Sequence, residues 1–507
     1  MRQQFLALVH PPQQGLLEGF SSGLVSLADY VAKTLPTVRV NLLDFGLSTA
    51  TEIHGQVRDY LHHAGGQLFV GVSTTTASYQ SALQAVRVFK ALAPTCVTIL
   101  GGHHASAQHD VVLRTHPSVD YVICGEGERS LVEFLKGFPE VSSVPGLAFR
   151  TGLSTSVNQA YPPLYSHDLD DIAPSFNGIG LRSAPGKFDH TTYVSARGCP
   201  LRCAFCAVSG EPIRSKSIEA VIRDLRWLVG EKGYTSIAIE DNHFAQSPKR
   251  TIELCSAIEQ LQSELPFRWD CQTRIESCRP NVLAAMERAG CEAIYLGVEA
   301  LDPEQLLYLG KTRTPGNYVR SLRDEVVPWL LRSTVDCYLN LQLGLPGEGE
   351  SHRANTLAVL RELGSKARDV DKHIVIFPQL HVIYPGTRHH EEARIEGRLG
   401  PNAEDIFERF TAWEARQQPI LRWLGQHFAH GTGGIPEGIL CSDRLKQGEF
   451  EVSPTAVLGI INYLEDIRMT PGLRVFNYSK YLAGPLGQHD RCQPFEQVFD
   501  GTVLRRS

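Results

Sequence analysis

Three thiols stand out as the residues whose spacing could do chemistry. Cys199, Cys203 and Cys206 lie in the run Ala-Arg-Gly-Cys-Pro-Leu-Arg-Cys-Ala-Phe-Cys, and the C-x3-C-x2-C spacing suits three thiolates converging on one iron-sulfur cluster. Three cysteines leave one iron without a protein thiolate. A cluster held by four is coordinatively closed and serves electron transfer, whereas an open iron can bind a small molecule directly. The alternative is a structural zinc site or a group of reduced core thiols. Zinc takes four ligands, often as two separated pairs, and no second C-x2-C pair occurs in the chain. A strand-like run, Thr191 to Ala196, feeds the loop, and Ser217 to Gly230 has the apolar spacing of a helix after it.

With Phe205 just before its last cysteine, this run resembles the signature of the radical S-adenosylmethionine (SAM) enzymes. The resemblance implies a 4Fe-4S cluster on Cys199, Cys203 and Cys206, with SAM chelated to the open iron and cleaved by an electron from the cluster. The elements that must position such a site can be read from periodicity. Strand-like runs recur near 191–196, 235–240, 268–273, 293–298, 335–341 and 374–383, separated by helical stretches, which makes about six β/α units. The resemblance implies a partial (β/α)6 barrel of the TIM type, its site at the carboxyl ends of the strands. Carboxylates there suit the ribose diol and ammonium of SAM. Glu240 and Asp241 end the second strand, and Glu299 ends the fourth in Gly-Val-Glu-Ala, where relatives usually carry Ser at Ala300. Asn340 and Gln342 lie in Leu-Asn-Leu-Gln-Leu-Gly-Leu-Pro-Gly-Glu, similar to the family's fifth-strand motif. Any of the carboxylates could instead cap a helix or form a surface ion pair.

From Gln4 to about Cys124 apolar strands alternate with amphipathic helices, near 4–9, 38–43, 68–73, 96–100 and 119–124. That order predicts a doubly wound parallel sheet, with ligands beyond the strand carboxyl ends. Those ends read His10-Pro11-Pro12-Gln13-Gln14-Gly15, Ser73-Thr74-Thr75-Thr76, Gly101-Gly102-His103-His104 and Gly125-Glu126-Gly127-Glu128. The series resembles the cobalamin-binding domain that precedes many radical SAM domains. It implies cofactor contacts at Pro12, Ser73, Thr74, Thr75, Thr76, Gly101, Gly102, His103, Gly125, Glu126 and Gly127, hydroxyls bonding the nucleotide tail and glycines making room for it. No Asp-x-His-x-x-Gly follows the first strand, so the resemblance implies base-off cobalamin without that histidine. His10, His103 and His104 are loop residues that could ligate cobalt or simply hydrogen-bond. A generic nucleotide-binding or structural Rossmann-like domain is the alternative. Neither Gly-x-Gly-x-x-Gly nor a phosphate loop follows the first strand.

At 507 residues the chain has room for two or three domains. The fold class expected is α/β: a Rossmann-like cobalamin-binding domain over residues 1–151, a Pro-, Ser- and Gly-rich linker over 152–189, the barrel over 190–393, and a small, mainly helical C-terminal region over 394–507 that covers the substrate opening. Trp423, His427, Tyr463 and Tyr478 in that region read as substrate contacts or as core. Forty-nine basic against 55 acidic residues, a net charge of −6 without a long basic block, point away from nucleic acid. No apolar run approaches the roughly 18 to 20 residues needed to span a bilayer. Twelve dispersed cysteines with no secretory signal suit a reducing, cytoplasmic compartment.

Together the two modules resemble the cobalamin-dependent radical SAM enzymes, in particular the class B methyltransferases. The resemblance implies that one SAM methylates cobalamin while a second yields a 5′-deoxyadenosyl radical that abstracts hydrogen from the substrate, which then takes the methyl group. It also implies a small-molecule or peptide substrate and an external electron donor such as a flavodoxin or ferredoxin. No protein residue is assigned as catalytic. Two alternatives use the same parts: ring contraction, cyclisation or oxidative rearrangement without methyl transfer, and a non-catalytic cobalamin or redox sensor.

Overall fold

Phe5, Ala7 and Val9 alternate with Leu6 and Leu8 along the first strand, and all five are buried. A strand covered on both faces has no polar positions and reads as an unbroken apolar run. In the computed structural model, which describes residues 3–11, 21–46, 48, 50–76, 78–174, 190–345, 347–381, 383–396, 463, 466–467 and 469–475, that strand lies inside a seven-stranded sheet. Strands β1 (Gln4–His10), β2 (Val38–Asp44), β3 (Gln67–Ser73), β4 (Val97–Gly101) and β5 (Tyr121–Ile123) run parallel in the order β2-β1-β3-β4-β5. Phe5, Ala7 and Val9 pack with the helices Ala50–His63 and Tyr79–Leu92. Leu6 and Leu8 pack on the opposite side with Ser22–Thr34 and Glu128–Gly137. The sheet is therefore doubly wound.

Beyond β5 the sheet continues where a connector was expected. Strands β6 (Leu147–Thr151) and β7 (Ser154–Val157) form an antiparallel hairpin added to β5. Residues 154–157 are thus sheet rather than linker. Their Ser-Thr-Ser-Val sequence carries no apolar alternation because β7 is a solvent-facing edge. Leu164, Leu169 and Ile172 then pack together beside Tyr30, so the chain stays docked on the first unit well past residue 152.

After β8 (His190–Tyr193), the short strands β9 (Ala196–Arg197) and β10 (Arg214–Ser215) pair antiparallel and close the neck of the cysteine loop. Five longer strands follow: β11 (Ser236–Ile239), β12 (Arg268–Thr273), β13 (Cys291–Glu299), β14 (Asp336–Leu343) and β15 (Ile374–Leu380). With β8 and β16 (Leu473–Val475) they make an open parallel sheet in the order β16-β15-β14-β13-β12-β11-β8. The seventh strand comes from the region expected to be mainly helical; three residues are too few to show a period.

Side-chain alternation divides this sheet into two faces. Ile294, Leu296 and Val298 of β13 join the large core beneath the helices, among them Pro248–Gln262 and Pro280–Arg288. On the other face Tyr295 lies 4.5 Å from Tyr338 and 6.2 Å from Phe377, ring centre to ring centre. Asn340 and Gln342 share that face toward the carboxyl ends by the same two-residue period, and Glu299, which follows a register shift after Gly297, meets Gln342 by a hydrogen bond. An aromatic floor with polar groups above it is what the concave side of a ligand-binding barrel requires. Tyr463 is buried in the helix-side core, which makes it a packing residue. Pro12, Trp423, His427 and Tyr478 lie outside the described residues. Among those described, no helix is long and apolar enough to cross a membrane.

Candidate active site

The cysteine loop is held from three sides. At its entry, buried Asp241 accepts hydrogen bonds from Ser195 N (2.6 Å), Ser195 Oγ (2.6 Å) and Ala196 N (2.9 Å). Gly198 turns the chain at φ 85°, where a Cβ would lie 2.2 Å from the Pro212 carbonyl oxygen; only glycine fits between Arg197 and Cys199. On the far side Ala204 N donates to Leu309 O (2.9 Å), and His389 N donates to Ala204 O (3.1 Å). Phe205 packs against the helix-side core and lies 6.3 Å from the His381 ring, edge-on.

All three thiols are free and partly exposed. Arg274 Nη1 donates to Cys203 Sγ at 3.3 Å. Burial pushes the Cys206 thiol up to about 11 and raises that of Cys199; neighbouring thiols add to the rise, and the Lys311 ammonium opposes it. The three sulfurs therefore feel one another's charge beside two cations. Among the described residues, no three His, Cys, Asp or Glu side chains converge closely enough to hold a single metal ion. Three thiolates on three different irons need not converge that closely, so the donor set fits a cluster better than one zinc.

The candidate carboxylates divide into two kinds. Glu240 lines a cavity of about 960 Å³ between the carboxyl ends of the two sheets, as does Asn242, which sequence reading passed over. Asp241 faces inward and braces the loop entry, which removes it as a ligand contact. Glu299, in the left-handed region at φ 70°, pairs its Oε1 with Lys311 Nζ (3.0 Å) and accepts from Gln342 Nε2 at Oε2 (2.9 Å). Gln342 Oε1 in turn accepts from His381 Nδ1 (2.5 Å), and His381 Nε2 lies 3.1 Å from His389 Nδ1. Because an amide oxygen only accepts, His381 must carry its proton on Nδ1 and take one from His389 on Nε2. Glu299 and Gln342 are thus committed to an internal chain. Asn340 Oδ1 and Thr273 Oγ1 are buried without a hydrogen-bond partner, leaving polar atoms available to a ligand.

On the first sheet the cavity is lined by Ser73, Gly101, Gly102, His103, Gly125, Glu126 and Gly127, with Leu8, Val25, Ile99 and Leu100 making an apolar slot behind them. A Cβ on Gly101 would meet nothing nearer than 3.8 Å, whereas on Gly102, at φ 93°, it would lie 2.4 Å from the Thr74 carbonyl oxygen. A glycine-floored cleft ending in an apolar slot suits a flat macrocycle with an aromatic tail. The threonines serve the loop itself. Thr74 Oγ1 donates to Gly101 O (2.8 Å), Thr75 Oγ1 accepts from Ser78 N (3.2 Å), and Thr76 Oγ1 lies 3.2 Å from His104 Nδ1. None of the three lines the cavity, contrary to expectation; each hydroxyl is engaged with a neighbouring segment of the loop.

The His104 ring packs on that of Tyr79 at 4.1 Å, tilted by 32°, and burial drives its pKa down to about 3. His10 is buried at the end of β1. Of the three loop histidines, His103 is the one on the cavity wall.

Glu126 and Glu128 reach across to the second unit. Glu126 pairs with Arg214 at 2.7 Å, and Glu128 with Arg197 at 2.9 Å. Burial alone would raise the Glu128 carboxyl; the Arg197 charge and the Ser26 hydroxyl outweigh it and hold the carboxyl below its usual range. Sequence reading missed both arginines, since their partners lie 69 and 88 residues away. The one available signal was the position of Arg197 in the run that carries the cysteines.

Two protein-family models match the chain: the B12 binding domain over residues 17–135 and the Radical SAM superfamily over 193–360. Hopanoid C-3 methylase of Methylococcus capsulatus is 28% identical over 389 residues, covering 70% of this chain and 71% of that one. Anaerobic magnesium-protoporphyrin IX monomethyl ester cyclase of Cereibacter sphaeroides is 27% identical over 269 residues, 50% of this chain but only 43% of the cyclase. Among solved structures, the radical SAM methyltransferase TsrM from Kitasatospora setae, with tryptophan substrate and a SAM analogue bound, superposes with a TM-score of 0.64 at 16% identity, covering 78% of this chain and 77% of that one. The last likeness is one of fold.

Proposed function

Since the chain belongs to the cobalamin-dependent radical SAM enzymes, we propose that it is a C-methyltransferase acting on a small-molecule or peptide substrate. The observation that carries this reading is the shared cavity, which brings the glycine-floored ends of β4 and β5 to the same space as Glu240 and Asn242. A methyl carrier on one sheet and a SAM-cleaving cluster on the other then face one substrate. When bound, the cluster supplies an electron to SAM and cobalamin supplies a carrier for the methyl group.

In this reading Cys199, Cys203 and Cys206 hold the cluster, and Arg274 steadies Cys203 by its hydrogen bond. Glu240 and Asn242 orient SAM from the cavity wall, with Asn340 and Thr273 offering their unused polar atoms. Glu299, Gln342 and Lys311 position the strand ends rather than touch the ligand. Gly101, Gly102, Gly125 and Gly127 admit the corrinoid, and His103 stands beside it. The protein's contribution is orientation and exclusion of water, so no side chain needs to enter the bond-making. Electrons come from an external flavodoxin or ferredoxin. Ten described cysteines without a disulfide support a reducing, cytoplasmic setting.

A rearrangement or cyclisation without methyl transfer is the second reading, favoured by the cyclase likeness. Mass spectrometry of SAM products separates the two. Anaerobically reconstituted protein, given cobalamin, reductant and methyl-labelled SAM, is expected to yield S-adenosylhomocysteine and labelled methyl on cobalamin. Formation of 5′-deoxyadenosine alone would move the assignment to rearrangement.

A further inference from the structure

The Gly125-Glu126-Gly127-Glu128 turn has two faces. Its glycines line the cavity, and Gly125 N is held by Ser106 Oγ at 3.1 Å. Its carboxylates line the same cavity and also reach the neck of the cysteine loop. Arg197 Nη2 donates to Glu128 Oε1 (2.9 Å) and to Ser26 Oγ (2.7 Å), Ser26 Oγ donates to the same Glu128 oxygen (2.6 Å), and Arg197 Nη1 lies 3.5 Å from Glu126 Oε1. Arg214, paired with Arg197 across the two-residue ladder, donates to Glu126 Oε2 (2.9 Å) and to Leu164 O (3.0 Å).

We propose that Arg197, gripping Glu126, Glu128 and Ser26, is a positioning latch through which the cavity wall of the first sheet and the cysteine loop set each other's geometry. The inference rests on the cofactor assignment above and adds a coupling to it. Arg197 has little freedom to move independently of Cys199. Asp241 fixes the backbone before it, and the Gly198 turn, packed on the Pro212 carbonyl, fixes the backbone after it. Glu128 is 3% exposed, so its charge has no solvent to turn to when the arginine shifts. Ordering the loop on a cluster therefore orders the turn that borders the corrinoid cleft, and filling the cleft orders the loop. By linkage the two effects are equal.

The test compares hydroxocobalamin dissociation constants of the full-length protein with and without its reconstituted cluster. In the parent, the cluster is expected to tighten binding about tenfold, within the usual range of coupling between sites. Glu128→Gln keeps an acceptor but drops the charge; Arg197→Lys keeps the charge but loses the fork that spans three partners. Each is expected to bring the ratio to within about twofold of one with iron content unchanged; since both side chains also line the cavity, the ratio rather than the bare affinity is the readout. Should either fail to fold, Ser26→Ala removes a single hydroxyl and is expected to give an intermediate ratio. Mere structural glue would lower the melting temperature of the variants and leave the ratio at its parental value, and that result overturns the latch. A parent that holds both cofactors with a ratio of one overturns the latch alone. A parent that retains no cobalamin overturns the functional reading and the latch together.

Discussion

Asp241 and Glu240 are neighbours in sequence, and the structure gives them opposite work. Replacing Asp241 with Ala would strand the Ser195 and Ala196 amides in a buried site, at about 1 to 3 kcal/mol for each unsatisfied group. The expected outcome is a lower melting temperature together with reduced cluster iron after reconstitution, because those amides lead into the cysteine loop. Glu240→Gln exchanges a charged cavity-wall side chain for its neutral isostere. It is expected to keep full iron content and melting temperature while weakening SAM binding, read by the perturbation that SAM makes in the cluster's EPR signal. Equal loss of iron in both variants would contradict this division. Cys203→Ala is the sharper case: cluster absorbance and SAM cleavage should vanish, while cobalamin should still bind, at about the tenfold weaker affinity of the cluster-free parent. Intact cluster absorbance in that variant would end the assignment of the loop.

Elements decide which of these side chains reach the site. The β4 carboxyl end shows this through two adjacent glycines. Gly102 cannot take a side chain, as a Cβ there would press into the Thr74 backbone, so Gly102→Ala is expected to distort the loop and cost stability. Gly101 has room for one. Gly101→Leu should therefore leave the melting temperature near that of the parent and cut cobalamin retention at least tenfold, measured as corrinoid remaining after gel filtration, with cluster content unaffected; unchanged corrinoid would refute the cleft. Much of this layer was legible in the sequence. A parallel strand buried on both faces announces itself, as Phe5 to Val9 does, and C-x3-C-x2-C marks its three thiols as candidate cluster ligands by their spacing. What escaped depended on distance or on weak pattern. The Thr74, Thr75 and Thr76 hydroxyls look like cavity-lining groups until the folded loop turns them to partners of its own. The Ser154–Val157 edge has no apolar period, and the grip of Arg197 on Glu128 joins residues that only the docking of two sheets brings together.

At the scale of the whole molecule, stability should depend on acid in a way that reports on both units at once. His104 sits in the first, His243 and His381 in the second, and burial is the leading cause that lowers all three, to about 3, 4 and 3. Unfolded histidine titrates near 6.5. Above that pH each is neutral whether folded or not, so its contribution is fully present. As pH falls below about 6.5, the unfolded chain takes up protons that the native protein refuses, and stability falls by as much as about 1.4 kcal/mol per pH unit for each group. The loss continues until the folded values are reached. Carboxylates confuse the total: Glu128, held low, also loses stability in acid, whereas Asp241, held high by burial, works the other way. A variant comparison isolates one histidine from that background. His104→Gln keeps a hydrogen-bonding group for Thr76 and cannot titrate. Its melting temperature is expected to start somewhat below the parent's at pH 7.5, for want of the Tyr79 ring contact, and then to fall less steeply as pH drops to 5. Parallel slopes for variant and parent would mean that His104 is charged in the folded protein, and its packing between Tyr79 and Thr76 would need another explanation.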